Sequence, residues 1–157
     1  MSDLSLCFKV VRHPRQDSAL RWSVFAPLKY DIAYRPGHNT GPMVEGTKLY
    51  AFETQRQALE FAEGCSHTTS DFVEVWIALA ENAKRCKWVS YLSPSPNHHQ
   101  QFDHFWSLAG DPSIGNYWVA EPPDRTIECE ALMLVSVLDR FQGMQKQPLH
   151  NLYGMSA

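Results

Sequence analysis

At 157 residues, with 44% hydrophobic and 20% charged side chains, the chain is long enough to bury about two thirds of its unfolded surface around one core. That composition excludes long disorder and a fibrous class, and a net charge of −3 with Lys and Arg scattered along the chain sets aside nucleic acid as the main partner. MSDLSLCFKVVRH shows no basic leader before an apolar stretch, and no segment reaches the roughly 18 apolar residues of a membrane span, so a cytoplasmic protein without a membrane partner is expected.

Leu6 to Arg12 alternates Leu6, Phe8 and Val10 with Cys7, Lys9 and Val11, the pattern of a strand with one face more apolar than the other. His13-Pro14 breaks it, because proline removes a donor and disfavours helix at the preceding residue. Two short strands are expected at 21–26 and 30–34. RPGHNTGP, residues 35–42, has two Gly and two Pro in eight positions and reads as a loop; Tyr34, Arg35 and His38 give it candidate ligand-binding side chains.

Lys48 to Phe52 is a strand. Thr54-Gln55-Arg56-Gln57 has the T-x-x-Q form of a capping box, Ala58, Phe61 and Ala62 share one helical face, and Gly64 suits a left-handed stop. Phe72 to Ala80 is the strongest strand, with Val73, Val75, Ile77 and Leu79 on one side and Glu74, Trp76 and Ala78 on the other. The second side faces either solvent at a sheet edge or a concave pocket, with a half-exposed face the preferred expectation; Glu74 is a candidate acid or base and Trp76 a candidate ligand contact. A short strand at 87–92 follows.

Asn97 and Gln100 form a second, weaker capping signal, and Phe102, Phe105, Trp106 and Ala109 then fall on one helical stripe ended by Gly110. His98, His99, Asp103 and His104 crowd into the same segment without the spacing of a metal site, so no metal is assigned. His104, flanked by Phe105 and Trp106, is a candidate general acid or base. A strand at 117–120 and the run TIECEALMLVSVLDRF close the pattern; the first half of that run alternates as a strand, and the second half is open between strand and helix. Residues 143–157 read as a loose tail.

The four cysteines, Cys7, Cys65, Cys86 and Cys129, stand far apart and read as reduced thiols, with Cys7 and Cys129 buried and inert. No phosphate-binding glycine pattern and no nucleophile elbow is present.

Arg12, the triplet Thr68-Thr69-Ser70 and Glu128-Cys129-Glu130 occur in an order that resembles the Arg-Ser-Glu class of ADP-ribosyltransferases. The resemblance implies NAD across a split sheet, with Arg12 toward the dinucleotide, Ser70 structuring the pocket and Glu130 stabilising the transition state. The chain departs from the Ser-Thr-Ser form of that pattern. FKVVR, YRPG, KLYAFETQRQALEFA, EVW and PPDRTIECEALMLV together resemble a group of small uncharacterised single-domain proteins of fungi and phages, which implies one compact α+β unit and carries no activity.

The expectation is therefore a single α+β domain over 1–142. It has a mainly antiparallel, twisted sheet of six to eight short strands, with two helices near 54–63 and 98–109 packed on it. Functionally the pattern fits a small-molecule-binding protein or a small metal-independent acid/base enzyme for an apolar or aromatic ligand, with His104, Glu74 or Glu130 as the acid/base candidates and no cofactor. An NAD-dependent transferase and a non-catalytic interaction module stand as alternatives.

Overall fold

The alternating runs of the sequence become the longest strands of a computed structural model, which describes residues 3–14, 19–24, 31–90, 106 and 119–143. In chain order the elements are β1 (Leu4–His13), β2 (Arg21–Trp22), β3 (Ala33–Tyr34), β4 (Leu49–Phe52), α1 (Gln55–Ser66) and β5 (Phe72–Glu81). After these come β6 (Lys84–Arg85), β7 (Val89–Ser90), β8 (Val119–Ala120), β9 (Thr126–Cys129) and β10 (Ala131–Phe141). The main sheet runs β10-β5-β1-β4-β9-β6, with β2 joined to both β1 and β3, and β7 pairs separately with β8. Every strand pairing among the described residues is antiparallel.

One residue dictates the shape of this sheet. β9 pairs with β4 and β10 pairs with β5, on opposite sides of β1, yet only Glu130 separates them. In a flat sheet four strand spacings of about 4.8 Å would hold β9 and β10 about 19 Å apart, whereas two peptide steps reach only about 7 Å. The sheet therefore curls into a half-barrel, and the Glu130 amide donates to the Glu81 carbonyl at 3.0 Å where the two edges meet.

Residues 35–42 reinforce the closed end. The Gly37 amide donates to the Leu134 carbonyl at 2.9 Å, and Thr40 exchanges backbone hydrogen bonds with Leu132 at 2.8 and 2.9 Å. The segment covers the outer edge of β10, whose free backbone groups would otherwise invite pairing with another chain. Gly37 has φ +82°, a left-handed conformation that costs glycine nothing.

The curl separates two apolar layers. Inside lie Cys7, Val11, Leu49, Trp76, Ala78, Leu132 and Leu134, roofed by Ile32 and Tyr34. Outside, Val10, Phe52, Val73 and Val75 pack against Ala58, Ala62 and Cys65 of α1. The small residues at 58 and 62 let the helix approach the sheet closely, and Phe61 meets Phe52 with ring centroids 5.1 Å apart. Thr54 caps the helix by accepting from the Gln57 amide at 3.4 Å, as its sequence predicts.

Several expectations need correction. The α+β class with two helices packed on the sheet gives way to a mainly antiparallel β fold with one helix among the described residues; the segment 98–109 lies outside those residues apart from Trp106. Gly64 does not stop α1, which continues to Ser66 because Cys65 and Ser66 are buried against the sheet. The run after Glu130 is strand throughout. The second side of β5 is not half-exposed: Glu74 and Ala78 are 0% exposed and Trp76 7%, because the curl turns that side inward. The first described residue of the expected tail, Gly143, is buried, and a side chain there would collide with the Asp71 carbonyl. Among the described residues no helix is long and apolar enough to cross a membrane.

Candidate functional site

The inner face carries two charged groups that differ sharply in their surroundings. At the open end of the half-barrel, Glu74 sits opposite Val11 on one side and Arg140 on the other. Its Oε1 accepts from Arg21 Nε at 2.5 Å and from the Trp76 indole Nε1 at 3.0 Å. Its Oε2 accepts from Arg140 Nη2 at 2.6 Å and Nε at 2.9 Å, and His13 Nδ1 stands 3.7 Å away. Burial pushes the carboxyl pKa up, but the donors on Trp76, Arg21 and Arg140 outweigh it and hold the group below the ordinary 4.5. A carboxylate so stabilised has little affinity for a proton. Arg21 also lies over the Trp76 ring, 5.5 Å from its centroid, so both residues serve the carboxylate clamp.

Two residues before Val11, Lys9 enters the same inner face opposite Trp76. On the side of β1 away from β5, the ladder is carried by β4 at Phe8 and by β2 at Arg12. Lys9 occupies the seam between these contacts. Its Nζ donates to the Tyr50 carbonyl and lies 5.4 Å from the centroid of the buried Tyr34 ring, with no carboxylate among the described residues as partner. Desolvation lowers its pKa from 10.5 to about 8, an effect the Cys129 and Cys7 thiols only partly offset. Those thiols are themselves driven up by burial, to about 12 for Cys7 and about 11 for Cys129. Lys9 is thus half-buried and partly neutral near pH 7, while the cysteines beside it stay protonated.

The residues singled out from sequence are dispersed. Arg12 is engaged by Asp71 at 2.9 Å and Asp31 at 3.2 Å, and ties the turn before β5 to the start of β3. Glu130 is exposed at the closed end, where hydrogen bonds from Asn82 at 2.7 Å and Lys48 at 3.4 Å lower its pKa. Arg12 lies opposite Val73, whereas Glu130 bonds to Glu81; eight residues of strand place them about 27 Å apart. Arg12, Ser70 and Glu130 therefore do not converge. Arg35 and His38 are exposed on the segment along β10, and Tyr34 is buried beneath it. His104, with His98, His99 and Asp103, lies outside the described residues.

Of the predicted ligand contacts, Tyr34 and Trp76 reach the inner face with Lys9. Lys9 itself escaped prediction; its signal was a lysine in phase with Cys7 and Val11. An open groove of about 480 Å³ runs on the outer side between Gln55, Leu59 and Glu63 of α1 and Asp139 and Phe141 of β10, and holds none of these groups. No protein-family model, curated protein or solved structure matches the chain.

Proposed function

We propose that the protein binds a small apolar or aromatic molecule at the inner face of the half-barrel, with Tyr34 and Trp76 as the aromatic surface and Lys9 as the polar group that meets the ligand. The observation that carries this reading is a half-buried amine set among apolar and aromatic side chains, without a carboxylate to neutralise it among the described residues. Apolar sites with a single placed polar group are the usual form of small-ligand sites. A charged group that is merely structural is expected to be matched, as Glu74 is on the same face. The same amine suits metal-independent acid/base work, since its pKa of about 8 lies near the working range of a general base.

Thermal unfolding in the presence of aromatic alcohols, acids and aldehydes tests the reading. A melting temperature that rises with ligand concentration, together with a change in tryptophan fluorescence, is expected. A flat response across the panel counts against a small-molecule site.

A specific observation favours a second reading, a protein-interaction module. On the outer face Leu6 pairs with Leu79 and Leu79 with Met133, and Leu4 and Leu6 are more than 60% exposed (66% and 63%). This apolar row lies beyond the part of the sheet that α1 covers. Analytical ultracentrifugation of Leu6→Lys against the unchanged protein tests self-association through it.

A further inference from the structure

We infer that Lys9 is an imine-forming amine and that the ligand of the inner face carries an aldehyde or ketone. The inference rests on the small-molecule reading and narrows it to a class of ligand. Three features of the site point this way.

Lys9 Nζ is placed at the seam between β4 and β2, where its hydrogen bond goes to a neutral carbonyl, that of Tyr50. A carboxylate or phosphate ligand would need further donors, yet the nearby arginines are occupied: Arg21 and Arg140 by Glu74, and Arg12 by Asp31 and Asp71. The competing nucleophiles of the same face, Cys7 and Cys129, are fully buried and hold their protons.

With a pKa of about 8, roughly a tenth of the amine is neutral at pH 7, a fraction about three hundred times that of an ordinary exposed lysine. The neutral nitrogen lone pair forms a C–N bond at the carbonyl carbon, the carbon–oxygen bond breaks, and the two amine protons leave with that oxygen as water. The step consumes no oxidant or reductant, and hydrolysis reverses it.

The test is reductive trapping on the full chain at pH 7, with benzaldehyde as probe and cyanoborohydride to reduce the imine to a stable secondary amine, read by peptide mass spectrometry. Lys9 should carry the benzyl adduct at least tenfold ahead of the exposed Lys84 and Lys87. Lys9→Arg, which keeps a cation but forms no imine, should remove that adduct alone. Labelling that follows exposure, with Lys84 and Lys87 level with or ahead of Lys9, overturns the inference. Benzyl alcohol, which has the ring but no carbonyl, separates the two ideas. If it raises the melting temperature while Lys9 stays unlabelled, the imine falls and the binding site stands. If it has no effect and Lys9 is unlabelled, both fall.

Discussion

Glu74 and Lys9 share one face of one sheet, two residues apart across neighbouring strands, yet only one of them is electrostatically at rest. Glu74 is wholly buried and receives hydrogen bonds from two arginines and an indole. Lys9 is less buried but, among the described residues, faces a backbone carbonyl and a ring. A charge withdrawn from water stays charged where partners replace its hydration, and shifts toward neutrality where they do not. The matched pair works as scaffold, and the unmatched amine keeps its chemistry.

The sharpest way to break this contrast is to unmatch the first group. Glu74→Ala leaves Arg21 and Arg140 facing each other on the inner side, and is expected to lower unfolding free energy by about 3–5 kcal/mol, read from urea midpoints. Glu74→Gln retains an acceptor for the Trp76 indole and should lose less.

Removing the second group should act in the opposite direction. Lys9→Met keeps the volume of the stem, discards a poorly solvated charge and forfeits one hydrogen bond; a net gain of about 1–2 kcal/mol at pH 7 is expected. A loss of that size would show that the amine is structural.

The pH profile sharpens the comparison further, because the two groups act at opposite ends. Glu74 has a folded pKa below 4.5, so its contribution is complete above that value and is lost as pH falls through the lower folded one. For Lys9, folded near 8 against 10.5 unfolded, the unfolded chain holds more protons between those values, so stability rises with pH across that window. Chemical denaturation at pH 8 and 10 should show the stability gap between Lys9→Met and the unchanged protein narrowing as pH rises. The difference isolates Lys9, because the buried thiols, with pKa values raised above 9.0, lower the stability of both proteins over the same window. The smallest effect serves as a control on the outer side: Thr54→Ala removes the helix cap, costs about 1 kcal/mol, and should leave the trapping of Lys9 untouched.

Strands β1, β4 and β5, the start of α1 and the burial of Cys7 and Cys129 were legible because each depends on local pattern. Alternation marks β1 and β5, and Thr54 with Gln57 marks where α1 begins. What the pattern does not carry is which side of an alternating strand faces inward. Glu74, Trp76 and Ala78 share a side by spacing alone, but that side is buried only because the sheet curls, and the curl rests on Glu130. In TIECEALMLV that residue looks like one more step of a single strand. It is the point where the chain leaves β4 for β5, and nothing short-range marks the change of partner. Lys9 was missed for the same reason: a lysine in a strand reads as solvent-facing until the fold places Tyr34 over it. Gly64 failed as a stop because burial of the two residues after it outweighs glycine's weak helix propensity.

The single-residue crossing at Glu130 also fixes an order of events in time. β1 is made first and lies at the centre, but its neighbour β5 gains its second partner only when residues 131–141 are present. During synthesis the inner face therefore waits, open and apolar, until β10 has left the ribosome. The pairings that close it join residues 50 to 97 positions apart along the chain, from Glu81 with Ala131 to Gly37 with Leu134, a topology that favours slow closure over rapid collapse.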